Sequence, residues 1–365
     1  MSKNLNYDFV DVNYIMSKPS MVLNKGFIPE YNEGMTDMRQ MFNNCHDLTS
    51  LDVSSNFDTS KVKNMNGMFL WCDNLTELDL SSFYTPNVED MGEMFANCDK
   101  LTTLNMTNSF ITSNVTNMSK MFYYCISLAK LDLSSFDTSK VKDMSFMFDS
   151  CFSLIALDLS GFNTSNVHDM SGMFNNCYEL ASLDVSNFDT SKVENMCSMF
   201  GNCDHLARLD LSSFDTSNVS NMNDMFHDCY RLTTLDLSNF DTSKVVCMNG
   251  MFDDCENLTS LDLSSFNTSN AVFMTWMFKG CTNLSSIDLS SFDTSNAVSM
   301  ALMFCDCENL TTIKGVIDMK SCEDCYSMFY KCPNLKDVKI KNPPTDTDWW
   351  KKAGFSSESQ FTIVS

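Results

Sequence analysis

The sequence is poor in positive charge and contains no long apolar run. Its 365 residues carry 24 Lys and Arg against 47 Asp and Glu, a formal net charge of -23. From Cys307 onward there are eight Lys and eight Asp or Glu, so the excess of negative charge lies in residues 1–306. An acidic body repels phosphate groups, which argues against nucleic acid and anionic membranes as partners. Because no run of eighteen apolar residues occurs, we expect no membrane insertion.

The N-terminal residues also lack the features of an export signal. They read Met-Ser-Lys-Asn-Leu-Asn-Tyr-Asp, without the apolar stretch and small-residue cleavage site of a signal peptide. We therefore expect the chain to fold in a reducing compartment. A position on a cell or virion surface would then require a non-standard route.

Motifs of catalysis and cofactor binding are missing as well. There is no phosphate-binding loop and no HExxH sequence. The four His residues occupy different positions of the repeat described below, and none forms a recurring pair with Ser or Cys: His46, His168, His205 and His227. The sequence therefore predicts no enzymatic activity, no cofactor and no metal centre.

The sequence contains one unit that is repeated twelve times. Its core, Met-Phe-x-x-Cys, runs from Met41-Phe42/Cys45 to Met328-Phe329/Cys332, with Phe always three positions before Cys. The Cys-to-Cys steps are 27, 26 and 27, then 26 seven times, and 25 at the end. A fixed period of this size predicts a solenoid, in which each repeat is one coil resting on its neighbours. We predict a solenoid over residues 35–340, an N-terminal cap or attachment segment over 1–34 and a C-terminal cap over 341–365.

Each coil reads as a short helix followed by a strand. In the coil of residues 221–245, the apolar residues of 222–232 recur at steps of three, one, three and three, which is typical of a helical stripe. An Asn or Asp stands before the first Met in most coils and reads as a helix N-cap, whereas Cys247 and Phe273 are exceptions. The segment 234–238 alternates apolar and polar residues like a half-buried strand. The tail predicts a short helix over 346–352, ended by Gly354, and a final strand over 360–364.

Seventeen Cys leave two alternatives open, a secreted disulfide framework or a column of buried thiols. Twelve of them share one repeat position, the total is odd, and free Cys behaves as a small buried hydrophobe. We therefore predict reduced core thiols. Cys322 and Cys325 form a CxxC near Cys332, a spacing found in zinc and redox sites. Substitution within a core column is the alternative, because Cys325 stands where other coils carry Met.

The unit resembles a known family. The string Cys-x-x-Leu-x-x-Leu-Asp-Leu-Ser of 229–238, the Met-Phe-x-x-Cys before it and the Phe-Asp-Thr-Ser-x-Val of 240–245 are similar to the 25–26-residue repeat of the BspA-like leucine-rich-repeat bacterial surface proteins. The resemblance covers about residues 35–340. It implies a solenoid with a parallel β-sheet on one face and short helices on the other, and it implies adhesion or protein binding. The segment Trp-Trp-Lys-Lys-Ala-Gly-Phe resembles tails that end such arrays in gut bacteria and their phages.

The outward strand positions offer one candidate surface. A column of Asp follows the inner Leu, interrupted by Asn105 and reversed by Lys314 and Lys339: Asp52, Asp79, Asp132, Asp158, Asp184, Asp210, Asp236, Asp262 and Asp288. Stacked carboxylates repel, so either bridging Ca²⁺ or hydrogen bonds from neighbouring Ser and Thr must relieve them. The column before the inner Leu varies, which is where specificity can reside: Ser50, Glu77, Thr103, Lys130, Ala156, Ser182, Arg208, Thr234, Ser260 and Ser286.

A second candidate surface is aromatic. Six aromatic residues flank the repeated Cys outside the core stripe, either to bind sugars or a protein or to pack over the coil ends: Trp71, Tyr123, Tyr124, Phe152, Tyr178 and Tyr230. With these we group, as candidate binding residues, Lys130, Asp132, Asp158, Asp184, Arg208 and Asp210. The sequence predicts non-enzymatic recognition of a protein or cell-surface glycan by a bacterial surface or phage-borne adhesin. The alternative is a structural rod of a larger assembly such as a virion, attached through residues 1–34 or 341–365.

Overall fold

The protein is a stack of similar coils whose paired strands run parallel to one another. The computed structural model describes residues 34–51 and 57–365, so Asp52 and nearly all of the predicted N-terminal segment lie outside the described residues. Parallel pairing joins strands of neighbouring coils, with Leu51 opposite Leu78 and Leu78 opposite Leu104. The strands are β1 (Ser50–Leu51), β2 (Glu77–Asp79), β3 (Thr103–Asn105), β4 (Ser286–Asp288), β5 (Thr312–Lys314), β6 (Ile317–Asp318), β7 (Val338–Lys341) and β8 (Phe361–Val364). The predicted repeat solenoid is confirmed.

The strands form three short sheets rather than one continuous sheet. Their orders are β1-β2-β3, β4-β5 and β6-β7-β8. Between β3 and β4 the same alternation of buried Leu and exposed polar residues persists, but only the bridge Ala156–Ser182 is formed there. The amide of Ala181 lies 3.3 Å from the carbonyl oxygen of Ile155, whereas the Thr102 amide lies 3.0 Å from that of Thr76. Adjacent coils are therefore farther apart on this face in the middle of the array than near its ends.

The predicted helices of the Met-Phe-x-x-Cys segments are wrong. These segments are chains of tight turns, and among the described residues the one α-helix is α1 (Trp349–Lys352). The backbone amides of these turns donate either to a carbonyl oxygen of the same coil or to one of the next coil. His227 N donates to Asp224 O within its coil at 3.1 Å, while Phe226 N donates to Met251 O of the next coil at 3.0 Å. An α-helix would use all of these amides within its own coil. The turns are favoured because they leave amides free to form backbone hydrogen bonds with the next coil.

A second feature of the turns is a left-handed residue just before the repeated Cys. Its φ lies between 54° and 67° in all twelve coils. Asn, Asp and Gly adopt this conformation at least cost. They fill eight of the twelve positions: Asn44, Asn97, Asn176, Asn202, Asp228, Asp254, Gly280 and Asp306. This preference is visible in the sequence and distinguishes stacked turns from a helix.

The Asn and Asp column predicted as helix N-caps forms the predicted kind of hydrogen bond without a helix. Asp169 Oδ1 accepts from the amide of Ser171 at 2.8 Å, and the same bond over two residues recurs along the column. At the two exceptions the preceding coil supplies the acceptor. Asn223 Oδ1 accepts from the amide of Asn249 at 2.8 Å, and Asn249 Oδ1 accepts from the amide of Thr275 at 2.9 Å. Each turn leaves the amide two residues after this column without a backbone partner, so a side chain must supply the acceptor.

The core consists of columns of Met, Phe, Cys and Leu that run the length of the solenoid. The repeated Phe rings stack from Phe42 to Phe329 at centroid distances of 5.2–5.9 Å. At the C-terminal end Phe355 continues the stack at 4.4 Å from Phe329, and Trp349 and Phe361 pack beside it. The predicted tail helix and strand are thus present as α1 and β8, with Gly354 at φ 88° after the helix.

The repeated thiols are buried and have a specific partner. Eleven of them, from Cys72 to Cys332, donate to the carbonyl oxygen of the Phe in the preceding coil at 2.9–3.3 Å. Burial raises the pKa of the Cys125 thiol to about 12 and raises that of Cys177 as well. The prediction of a buried thiol column is confirmed for these residues. Each thiol adds a weak coil-to-coil hydrogen bond in an apolar column.

Thiol reactivity tests this burial. Of the 17 Cys, five are only half-buried: Cys45, Cys197, Cys247, Cys322 and Cys325. We expect about these five to react with a water-soluble disulfide reagent at pH 8 in the folded protein, and the other twelve only after unfolding. Cys325 should react among the first, because its hydrogen bond with Cys322 lowers its pKa. Reaction of all 17 thiols at a single rate without denaturant would contradict the buried column.

Candidate functional site

Three positions around the repeated Cys vary from coil to coil: the two residues after Phe and the residue after Cys. Four of the predicted aromatic residues meet there in consecutive coils. Tyr123 and Tyr124 lie 6.1 Å apart, Phe152 packs edge-on against Tyr124 at 5.6 Å, and Tyr178 stacks on Phe152 at 5.0 Å. All four are half-buried. We call these four residues the aromatic strip.

The other two predicted aromatic residues stand apart from the strip. Trp71 is 46% exposed in an earlier coil, and within the described ranges neither it nor Tyr230 contacts another aromatic ring. Tyr230 is surrounded by carboxylates instead. Burial, its hydrogen bond with Asp228 and the charge of Asp254 raise the pKa of the Tyr230 phenol.

Two of these aromatic residues hold a strained backbone. Tyr124 has φ 59° and Trp71 has φ 61°, at the position where most coils carry Asn, Asp or Gly. Bulky residues adopt this left-handed conformation at a cost of about 1–2 kcal/mol. Such strain persists where something other than stability maintains the residue, which makes both positions candidates for function.

The aromatic strip presents neutral phenols beside a buried acid. Asp149 is 5% exposed, and its Oδ1 accepts hydrogen bonds from the side chains of Ser150, Asn175 and Asn176. Burial raises the pKa of Tyr123 and of Tyr178, and nearby carboxylates add to both shifts. Their hydroxyl groups therefore stay protonated and can donate hydrogen bonds to sugar or peptide oxygens while the rings supply apolar area.

Farther along the array, at the same positions of the repeat, lies an ionic cluster that no local sequence pattern predicts. His227 Nε2 lies 2.8 Å from Asp228 Oδ2, and Lys279 Nζ lies 2.9 Å from Asp253 Oδ1 and 2.8 Å from Asp254 Oδ2. Each coil contributes only one or two members, so no local motif marks the cluster. Aligning the residues that directly follow each Phe places His227, Asp253 and Lys279 in consecutive coils, and that alignment would have found it.

The Asp column on the other face is solvated and held by local hydrogen bonds. Asp132, Asp158, Asp184 and Asp210 are exposed, and each accepts from the amide of the Ser two residues later at 3.0 Å. These bonds lower the pKa of each of the four carboxyls. Of the two ways in which the repulsion between these carboxylates could be relieved, hydrogen bonding from the flanking Ser accounts for the column. Within the described ranges, no group of three metal-ligating side chains converges.

The remaining predicted binding residues lie on the same face as the Asp column. Lys130 and Arg208 are exposed, as are the other members of the variable column. They belong to coils separated by two others, so the structure does not bring them together. Their role in binding stays a prediction.

The CxxC pair is close to the surface and separate from Cys332. Cys322 and Cys325 are half-buried and hydrogen-bond to each other, whereas the Cys332 thiol is buried and donates to Phe304 O at 2.9 Å. The three thiols therefore do not face a common point.

The described part of the chain has no helix long and apolar enough to cross a membrane.

The fold and these surfaces define a parallel repeat solenoid of the leucine-rich-repeat kind. The chain belongs to the family described as "Mycoplasma protein of unknown function, DUF285", whose model matches residues 28–107, 102–182, 177–262 and 233–342. The predicted resemblance to BspA-like leucine-rich-repeat proteins is confirmed. No curated protein matches the chain.

Solved structures with a similar chain path have low sequence identity. A leucine-rich repeat protein from Bacteroides ovatus is 16% identical, covers 90% of this chain and 88% of its own, and has a TM-score of 0.41. A leucine-rich cell surface protein from Faecalibacterium prausnitzii is 17% identical, with coverages of 82% and 81% and a TM-score of 0.38. The functional domain of InlJ from Listeria monocytogenes, which includes a cysteine ladder, is 17% identical, with coverages of 84% and 60% and a TM-score of 0.26.

Proposed function

We propose that this protein is a non-enzymatic recognition module that binds a protein or a cell-surface glycan through the aromatic strip. The observation that carries the proposal is the contact of Tyr123, Tyr124, Phe152 and Tyr178 across three coils, with Tyr124 in a strained conformation. Aromatic residues with partly exposed rings and protonated hydroxyls are the usual anchors of such interfaces. The setting we propose is a bacterial surface or a phage particle, in the role of an adhesin.

Binding to intact bacterial cells tests the proposal. A triple variant, Tyr123→Ala, Tyr124→Ala and Tyr178→Ala, should bind more weakly by at least about tenfold, since each anchor contributes about 1–2 kcal/mol or more. The matched control is Tyr84→Ala with Tyr326→Ala, which removes exposed Tyr rings away from the strip. Saturable binding that is equal in the triple variant and the wild type would refute the strip as the contact surface.

The structural rod remains a second candidate because of the C-terminal end. Tyr326 and Tyr330 are 64% and 50% exposed, and Ile363 of the edge strand β8 is 58% exposed. An edge strand with exposed apolar residues is suited to pairing with another chain. A rod attached in this way would engage its assembly through these residues and leave the aromatic strip free.

A further inference from the structure

The face that carries the Asp column reverses its charge at the C-terminal end. The position after the inner apolar residue is Asp288 in β4, and it becomes Lys314 in β5 and Lys339 in β7. Lys336 lies two residues before β7. In a chain of net charge -23, these three Lys form a local concentration of positive charge. The potential there attracts anions that the rest of this face repels.

The three Lys line one surface groove of about 640 Å³. Ser290, Thr312 and Asn334 also line it and add hydroxyl and amide groups. Its wall turns sharply after β5 at Gly315, which has φ 97°. A Cβ at this position would lie 2.7 Å from the carbonyl group of Leu289, so only Gly allows the chain to turn this closely.

The lining of the groove carries three ammonium groups and one carboxylate. Lys314 Nζ lies 3.6 Å from Asp288 Oδ2, a long contact between two exposed side chains. Across residues 34–51 and 57–365, neither Lys336 nor Lys339 takes part in an ion pair. The one carboxylate that lines the groove, Asp337, accepts a hydrogen bond from Thr362 Oγ1 of β8 at 3.0 Å. Two ammonium groups are therefore available to a ligand.

The lining also indicates the kind of anion. Among the lining side chains only Ile313 is apolar, and it is 4% exposed. Protein partners are usually anchored by Trp, Tyr or Arg in apolar pockets, and the groove offers none. A ligand with many hydroxyl groups and several negative charges matches ammonium, hydroxyl and amide groups better than an acidic peptide does.

We propose that this groove binds an anionic saccharide. Its sulfate or carboxylate groups contact the ammonium groups of Lys314, Lys336 and Lys339, and its hydroxyls bond Ser290, Thr312 and Asn334. The site is separate from the aromatic strip. A titration of purified protein with saccharide tests it without cells, so its failure would leave the function of the strip untouched.

Fluorescence titration with four labelled probes tests the proposal: a sulfated heparin-type hexasaccharide, a hexagalacturonate, neutral maltohexaose and a hexaglutamate peptide. At least one of the two anionic saccharides should bind, and which one binds identifies sulfate or carboxylate as the preferred group. Lys336→Gln with Lys339→Gln should raise its dissociation constant at least about tenfold. Lys314→Gln alone should raise it less. All three side chains are exposed, so the variants should unfold at the wild-type temperature.

The matched control is Lys351→Gln with Lys352→Gln, which removes the same charge at the same end of the molecule but outside the groove. Its dissociation constant should stay within about twofold of the wild-type value. Several results would overturn the proposal: equal weakening by both double variants, equal binding of maltohexaose, tighter binding of hexaglutamate, or no binding of either anionic saccharide at millimolar concentration.

Discussion

Replacing Phe174 with Ala is expected to lower the free energy of unfolding by about 3–5 kcal/mol. Its ring is fully buried and stacks on Phe148 at 5.8 Å and on Phe200 at 5.9 Å, in the middle of the array. Truncation removes apolar area and leaves a cavity that the rigid turns on either side cannot fill. Because each coil contacts only its neighbours, the defect also weakens the coupling between the two halves.

Urea unfolding followed by tryptophan fluorescence and circular dichroism measures this effect. The control is Phe273→Ala, which removes the same ring from a position that is 40% exposed. It should cost less than about 1.5 kcal/mol. Equal losses in the two variants would contradict the assignment of the repeated Phe column as the core.

A rise in pH is expected to weaken the protein through His227. The hydrogen bond with Asp228 and the nearby carboxylate of Asp253 raise the pKa of this imidazole to about 10 in the folded protein, whereas the unfolded chain releases the proton near 6.5. The folded state therefore binds the extra proton. The stabilisation it provides is complete below pH 6.5 and is lost as the pH rises through the folded-state value.

The expected loss is about 2 kcal/mol between pH 6 and pH 10. It is smaller than the full shift in pKa would give, because the side chain is 30% exposed and Nδ1 lies 3.4 Å from Asp253 Oδ2 without good hydrogen-bond geometry. Urea unfolding of the wild type and of His227→Gln at both pH values isolates this contribution, since the buried thiols affect both proteins alike. An identical pH dependence in the two proteins would show that the imidazole carries no extra proton in the folded state.

The sequence was sufficient to predict the solenoid and its core, but not the conformation of the turns. The Met, Phe and Cys columns are buried as their period implies, and the acceptors in the Asn and Asp column bond the amides two residues later. The helix prediction failed because apolar steps of three, one, three and three suit consecutive four-residue turns as well as a helix. The residue before each Cys resolves the ambiguity, since Asn97 or Asp254 favours a left-handed turn that a helix interior excludes.

Of the candidate surfaces, the aromatic strip could be predicted from the sequence, whereas the ionic cluster and the groove could not. The aromatic strip follows from the aromatic residues beside the repeated Cys, once the period places Tyr124, Phe152 and Tyr178 in consecutive coils. Asp253 and Lys279 were missed because their contact spans 26 residues and each is alone in its own coil. The saccharide groove was also missed, since its wall depends on the turn at Gly315 and on the way β7 passes β5, which no local pattern encodes.

We propose that recognition occurs at the aromatic strip. Hydroxyl-radical footprinting of the protein, free and bound to intact bacterial cells, tests it most directly, because Tyr oxidation reports the exposure of each ring in the presence of its partner. We expect Tyr123, Tyr124 and Tyr178 to become protected on binding while Tyr326 and Tyr330 stay reactive. Protection of Tyr326 and Tyr330 with an unchanged strip would contradict it and would support attachment of a structural rod through the C-terminal end.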